Sequence, residues 1–148
     1  MIRKILVATD GSSHAKKAVE FTGDFASKYD ANIYVVHVVQ EARIPEEMKR
    51  LFEVEHVEKP PQRAYFETIG KKIIEEAKTN LLKHGVKKIE TVLLVGDAPQ
   101  EIVDFAKKER IDVIIVGDRG LGKVKEFLIG SVTHKVFNST PCTCIAVK

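Results

Sequence analysis

Short apolar runs recur along the chain, separated by intervals long enough to hold a helix. The runs are rich in β-branched residues and mostly apolar, as expected for strands covered on both faces in a parallel sheet. They occupy residues 2–8, 33–39, 92–95, 113–116 and 143–147. The pattern therefore predicts five strands.

Helical spacing of apolar residues fills the intervals. It spans residues 15–29, after the possible caps Ser12 and Ser13, and residues 64–84, which end in His84-Gly85 as a C-cap. A third helix begins near Asp97, a possible cap, and runs to about Glu109, and a fourth begins at Gly130-Ser131-Val132 and ends before Pro141. Consecutive parallel strands need such crossovers, so we predict an α/β fold of the flavodoxin-like or Rossmann-like class.

Residues 40–63 fit this alternation least well. They are charged and interrupted by Pro45, Pro60 and Pro61, with a possible short helix from Glu46 to about Val57. We interpret the segment as a mobile excursion, because it is longer than most connections in compact domains.

Composition limits the possible function classes. The chain has 148 residues, of which 44% are hydrophobic and 30% charged, which predicts one ordinary domain over residues 1–148. The net charge of +3, from 24 basic and 21 acidic residues, is too weak to indicate a nucleic-acid partner. No apolar run approaches the roughly 20 residues that span a bilayer, and the N-terminus lacks the pattern of a signal peptide, so we expect a cytoplasmic protein without a membrane partner.

The two cysteines offer neither a disulfide nor a metal site. Cys142 and Cys144 lie two positions apart in a predicted strand, where they point to the same face and are poorly placed to bond with each other. Two thiols are also too few ligands for a metal ion, and no histidine is close in sequence. We expect small, buried, free thiols.

The strongest candidate site lies after the first and fourth strands, since ligands of such sheets bind beyond the carboxyl ends of strands where the strand order reverses. Asp10 follows the first strand. The fourth is followed by a loop that contains Gly117, Gly120, Gly122 and Gly130. We expect Gly117 and Gly120 to allow positive φ and close approach to a ligand. The unpaired N–H groups at Gly130-Ser131-Val132 suit a phosphate, and Arg119, Lys123 and Lys125 add positive charge.

Loop glycines alone usually mark only a turn, and two better-known phosphate motifs are missing. The Walker P-loop requires a lysine directly before its serine or threonine, but no lysine precedes Ser131. The first strand is followed by Asp10-Gly11-Ser12-Ser13 and not by G-x-G-x-x-G, which disfavours a nicotinamide or flavin cofactor. The glycine and serine at the start of a helix still favour a phosphate site over a simple turn.

The chain resembles the universal stress protein family from KILVATDGSSHAKKA to GSVTHKVFNSTPCTCIAVK. The ATP-binding branch of that family carries the motif G-x2-G-x9-G-[ST], which Gly117, Gly120, Gly130 and Ser131 match without a gap. The resemblance implies an open five-stranded parallel sheet in the order 3-2-1-4-5 with helices on both faces. This architecture is Rossmann-like and similar to the adenine nucleotide alpha hydrolases.

The resemblance also implies a role for individual residues. Asp10 is expected to contact the ribose, Val38 to meet adenine through its main chain, and Gly117 to lie near the ribose. Ala8 and Thr9 are expected to line the pocket. The phosphates are expected to be held by Gly120, Gly130, Ser131 and Val132. The implied ligand is ATP or AMP, and Mg²⁺ can accompany ATP.

Two features depart from the family pattern. Asp118 stands where serine or threonine is common, and we expect its carboxylate to face solvent because it would repel phosphate. The last strand, at residues 143–147, is more polar than usual, although the resemblance implies a homodimer formed through it.

Three functions remain open. The first is a stress-response regulatory protein whose bound ATP or AMP orders the loop and changes a surface that partners contact. The second is a slow ATPase, although we find no convincing general base: Asp10 is expected on the ribose, Glu126 is only a loop carboxylate, and His37 in the second strand receives no role. The third is a dimeric interaction module that binds no nucleotide.

Overall fold

The computed structural model describes residues 1–40, 46–56, 61–120 and 129–148. Strands and helices alternate along most of this chain. The strands are β1 (Lys4–Ala8), β2 (Asn32–Val39), β3 (Ile89–Val95), β4 (Val113–Gly117) and β5 (Thr143–Val147). The helices in the described ranges are α1 (Ser13–Ala26), α2 (Glu46–Val54), α3 (Pro61–Lys83), α4 (Ala98–Glu109) and α5 (Ser131–Ser139).

The five strands form one parallel sheet in the order β3-β2-β1-β4-β5, as predicted. The central strand β1 pairs with β2 on one side and β4 on the other, so that Leu6 lies between Tyr34 and Ile114. The chain passes from β1 to β2 in one direction and later returns to the opposite side of β1. The strand order therefore reverses beside β1, and a cleft opens there at the carboxyl edge of the sheet.

Alternate residues of each central strand enter two apolar cores on opposite faces of the sheet. Ile5 and Val7 pack with α1 and α3 residues such as Val19 and Leu81. Leu6 packs on the other face with Ile102 of α4 and Val136 of α5. Helices therefore cover both faces, which explains why the central strands are apolar almost throughout.

Several helix ends follow the sequence signals. Ser12 caps α1, and its hydroxyl accepts a hydrogen bond from the Ala15 N–H. Gly85 follows α3 with φ +80°, a conformation that favours glycine and is common after a helix. Asp97 occupies the cap position of α4, but its side chain makes no capping hydrogen bond.

The excursion between β2 and α3 contains the expected short helix, which ends at Val54, three residues before the predicted end. We predict that residues 40–63 are mobile, and part of that segment, residues 41–45 and 57–60, lies outside the described residues. Cys142 and Cys144 are partly buried, free thiols. No helix in the described ranges is long and apolar enough to cross a membrane.

Candidate functional site

A cleft with a volume of about 100 Å³ lies at the carboxyl ends of β1, β2 and β4, where the strand order reverses. We call it the edge cleft. This volume is below the range of about 300–1,000 Å³ that is usual for small-molecule sites. Eight residues singled out from the sequence line it: Ala8, Thr9, Asp10, Val38, Gly117, Arg119, Gly120 and Val132.

The floor of the edge cleft is apolar. Val36, Val116 and Ile102 line it together with Ala98 at the start of α4. Sequence analysis did not select these four residues, because each is an ordinary core residue in its own strand or helix. An apolar floor with a few polar groups around it is typical of a site that holds a flat organic ring.

The turn after β1 fixes Asp10 beside the cleft. Asp10 Oδ1 accepts a hydrogen bond of 2.9 Å from the Ser12 N–H, and Gly11 adopts φ +79°. The Thr9 N–H donates to the Val36 carbonyl at 2.9 Å, which extends the pairing of β1 with β2 to the lip of the cleft. The Asp10 carboxylate is therefore held in a defined turn.

The glycines at the end of β4 are required for space and not for backbone conformation. The expectation of positive φ at Gly117 and Gly120 is wrong, since neither residue adopts it. A β-carbon on Gly117 would lie 2.7 Å from the main-chain carbon of His14 in α1, and one on Gly120 would lie 2.6 Å from Asp10 Oδ2. The absent side chains let the end of β4 pack against α1 and against the Asp10 turn.

The start of α5 is fixed against the same turn. The Gly130 N–H donates to the Asp118 carbonyl at 2.6 Å, and a β-carbon on Gly130 would lie 3.1 Å from that carbonyl oxygen. Gly130 is the cap residue of α5, has no side chain to bond the first amides, and is followed by a first turn without an acidic residue. The first N–H groups of a helix have no partner within it, and its N-terminus carries partial positive charge. This end of α5 suits an anion.

Ser131 lines a second space beside the edge cleft. This adjoining hollow of about 300 Å³ shares Gln40 and Val132 with the edge cleft and is also lined by Lys135. Gly130, the cap residue of α5, is not among the lining residues of either space. Of the predicted group Gly130-Ser131-Val132, Val132 therefore lines both spaces and Ser131 lines the adjoining hollow.

Arg119 brings a guanidinium group to the cleft. Its Nε is buried and, within the described chain, has no hydrogen-bond partner. A buried, unpaired donor of a charged group is costly, and an anionic ligand would satisfy it. Lys123, Lys125 and Gly122, the other candidates in this loop, lie outside the described residues.

The expectation that Asp118 faces solvent is wrong. Asp118 is only 5% exposed, and its Oδ1 lies 2.6 Å from Nδ1 of His14. The two atoms do not meet the angular requirements of a hydrogen bond, so the contact is a close approach of an imidazole nitrogen to a carboxylate oxygen. The Asp118 carboxylate turns toward α1 because a buried carboxylate needs a partner and His14 supplies one there.

The universal stress protein family model matches residues 1–148. The chain belongs to the universal stress protein family. Universal stress protein YxiE of Bacillus subtilis is 33% identical over 150 residues, which cover 100% of each chain. Universal stress protein MJ0577 of Methanocaldococcus jannaschii is 30% identical, and its solved structure covers 100% of this chain and 96% of its own with a TM-score of 0.84.

A more distant universal stress protein shares the fold. The structure of the Arabidopsis thaliana family member with AMP bound is 22% identical, covers 99% of this chain and 91% of its own, and superposes with a TM-score of 0.67. The sheet order and the alternation of helices are thus those of universal stress proteins.

Sequence reasoning missed three polar residues that line the edge cleft of this universal stress protein: His37, Gln40 and Thr133. His37, in β2, lines the cleft, and its Nδ1 lies 2.8 Å from the Thr9 carbonyl oxygen. Because that carbonyl only accepts, Nδ1 carries the proton and donates it. The signal was available, since His37 lies near the carboxyl end of its strand, where Val38 was already selected.

Proposed function

We propose that residues 1–148 form one nucleotide-binding domain and that the edge cleft binds an adenine nucleotide, ATP or AMP. The observation that carries the proposal is the uncapped start of α5 beside a cleft with an apolar floor. The floor suits a purine, and the helix start suits its phosphates. The apolar floor and the helix start together suit a ligand that is apolar at one end and anionic at the other.

The groups around the cleft suggest how such a ligand binds. Adenine lies in the apolar part of the cleft and meets the main chain of Val38. The ribose lies between Asp10 and Gly117, next to Ala8 and Thr9. The phosphates take the amides of Gly120, Gly130, Ser131 and Val132, with the Arg119 guanidinium as a further donor.

Known relatives support an adenine ligand. The Arabidopsis thaliana protein with the same fold carries AMP. In this chain, Gly117, Gly120, Gly130 and Ser131 keep the spacing of the ATP-binding motif. These two observations favour nucleotide binding over an interaction module that binds no nucleotide.

We propose a regulatory role in the stress response and not catalysis. Asp10 is the carboxylate among the described lining residues of the edge cleft, and its Oδ1 already accepts the Ser12 N–H. A general base needs a free position beside the attacking water. If Mg²⁺ accompanies ATP, Asp10 is the acidic side chain that lines this cleft. The described chain holds no group of three metal-ligating side chains, so the phosphates would supply most of the ligands.

We also propose that two copies associate through β5. This strand lies at the edge of the sheet, and its residues from Cys144 to Val147 are only partly buried. An unpaired edge is a template for pairing with another strand. Light scattering is expected to give about twice the chain mass of 16.6 kDa.

Isothermal titration calorimetry with ATP and AMP tests the proposed function. Both nucleotides are expected to release or absorb heat with one site per chain, and a hundredfold excess over the dissociation constant should stabilise the fold by about 2.7 kcal/mol. Mass spectrometry of nucleotide released from the denatured, purified protein identifies the ligand that it carries. Absence of both heat and thermal stabilisation would exclude the proposal, and turnover of ATP abolished by Asp10→Ala would establish an ATPase instead.

A further inference from the structure

His14 and Asp118 form a close histidine–carboxylate contact between α1 and the end of β4. His14 lies in the first turn of α1, and Asp118 follows the last residue of β4. The carboxylate is almost fully buried, and its Oδ1 lies 2.6 Å from His14 Nδ1. A buried carboxylate without a cationic or hydrogen-bonding partner is strongly unfavourable, so the pair fixes where Asp118 can lie.

The main chain of Asp118 joins two other elements. Its N–H donates to the Val147 carbonyl of β5 at 2.8 Å, and its carbonyl accepts the Gly130 N–H at 2.6 Å. Gly130 is the residue at which α5 begins. Any displacement of Asp118 is therefore passed to the first amides of α5.

The main chain of His14 also contacts Gly117, the residue before Asp118. A β-carbon on Gly117 would lie 2.7 Å from the His14 carbonyl carbon. His14 also lies in the same turn-and-helix segment as Asp10, whose carboxylate is fixed to the Ser12 N–H. One residue of α1 thus contacts two successive residues at the end of β4. Through it, the Asp10 turn and the start of α5 are held at a defined separation.

We infer that His14 is a positioning residue for nucleotide binding, acting through Asp118. The inference rests on the proposed function and goes beyond it, because neither side chain is among the lining residues of the edge cleft. The pair sets the distance between the group proposed to bind the ribose and the amides proposed to bind the phosphates. Preorganised groups bind more tightly because their ordering is complete before the ligand arrives.

A purely structural role makes a different prediction. In that case, loss of His14 lowers stability because it leaves an unpaired buried carboxylate, and removal of both side chains restores stability and nucleotide affinity together. A positioning role separates the two quantities. Removal of both side chains then restores stability and leaves the affinity low.

The chain offers a matched control. His84 forms a similar pair with Asp24, a residue of the same helix α1, with Nδ1 and Oδ1 3.1 Å apart. Asp24 is exposed and neither residue lines the edge cleft. His84→Ala therefore removes a histidine–aspartate pair from α1 without touching the site.

The experiment measures AMP affinity by calorimetry and stability by urea unfolding. The proteins compared are wild type, the single variants His14→Ala, His14→Asn and His84→Ala, and a double variant that carries His14→Ala and Asp118→Ala. We expect His14→Ala and the double variant to bind AMP about tenfold more weakly, the size of coupling typical of residues in contact. His14→Asn keeps an N–H near the position of Nδ1 and is expected to restore most of the affinity. His84→Ala should bind like wild type.

Hydrogen exchange without nucleotide supplies a second readout. The Gly130 amide is expected to exchange faster in His14→Ala and in the double variant than in wild type or His84→Ala. Wild-type AMP affinity and wild-type Gly130 exchange in the double variant would overturn the inference and leave the proposed function intact. Failure of wild type itself to bind AMP or ATP would overturn the proposed function.

Discussion

The hydroxyl of Thr133 donates a buried hydrogen bond of 2.8 Å to the carbonyl oxygen of Gly117. Thr133 lies in the first turn of α5, and Gly117 is the last residue of β4. This bond joins the helix proposed to hold the phosphates to the strand beneath it. It also satisfies a carbonyl group that the end of the strand leaves buried.

Thr133→Val tests that connection, because valine has nearly the same shape as threonine and lacks the hydroxyl. The buried Gly117 carbonyl would lose this partner, and the free energy of unfolding is expected to fall by about 1–3 kcal/mol. Urea unfolding measures the change. Thr68→Val is the control, since Thr68 donates to Ala64 within the exposed face of α3 at 2.9 Å. Equal effects of the two substitutions would contradict the assigned role of Thr133.

Gly117→Ala and Gly120→Ala are expected to affect different properties. The new methyl group at position 117 meets the main chain of α1 at 2.7 Å, which cannot move cheaply. We expect a loss of about 1–3 kcal/mol in the free energy of unfolding, as overpacking usually costs. Among the described residues, the methyl group at position 120 meets only the end of the Asp10 side chain, at 2.6 Å. That substitution should leave stability almost unchanged and weaken AMP binding.

Urea unfolding and calorimetry on the two alanine variants separate these effects. Equal loss of stability in both would show that the turn at Gly120 is as tightly packed as the contact at Gly117. Unchanged AMP affinity in Gly120→Ala would argue against a ligand beside Asp10.

Arg119→Gln tests the proposed phosphate contact. If the unpaired Nε and the charge of Arg119 serve a phosphate, the substitution removes a charge-assisted hydrogen bond of about 1.5–3 kcal/mol and weakens AMP binding about tenfold or more. Adenosine has no phosphate and should bind both proteins alike. Calorimetry with the two ligands measures the difference. An equal loss for adenosine and AMP would indicate that Arg119 shapes the cleft instead of binding phosphate.

Asp112 is expected to make the fold sensitive to acid. Its Oδ2 accepts the Arg3 N–H at 2.8 Å and the Lys4 N–H at 2.9 Å. These bonds, that from Arg3 first, lower the pKa of the Asp112 carboxyl from its ordinary value of 3.8. Because the folded pKa is the lower one, the stability that Asp112 supplies is present above the unfolded pKa and is lost as pH falls through the folded value.

Asp112→Asn should therefore reduce stability near neutral pH and make stability fall less steeply below about pH 4, where the unfolded aspartate takes up its proton. Urea unfolding at several pH values measures both effects. Asp104→Asn is a suitable control, since Asp104 pairs only with the exposed Gln100 amide among the hydrogen bonds of the described chain. If the stability of Asp112→Asn falls below pH 4 as steeply as that of wild type, the proposed role of Asp112 in acid sensitivity is wrong.

The sheet could be predicted because its signal is local. Each central strand is apolar on both sides, and each crossover carries helical spacing. β3 was the least well bounded strand: it begins at Ile89, three residues before the predicted start. It lies at the edge of the sheet, where Glu90 and Thr91 are exposed, so the apolar run covers only its second half.

The site was predictable in position but not in detail. Asp10 and Gly117 could be placed together because both follow strands that end at one edge of the sheet. The burial of Asp118 depends on His14, which is far away in sequence and on another element, so no local pattern could reveal it. The sequence also could not show why position 117 must be glycine. The space that its missing side chain leaves is filled by the main chain of α1, which is distant in sequence.

Calorimetry with AMP on Gly130→Asp and Gly130→Asn tests the central claim most directly, namely that the start of α5 holds the phosphates. Both side chains have the same shape and meet the Asp118 carbonyl alike, so only the charge differs. We predict that Gly130→Asp binds AMP about a hundredfold or more weakly than Gly130→Asn, because a carboxylate at this helix end competes with phosphate for the same amides. Equal affinities of the two variants would contradict the account.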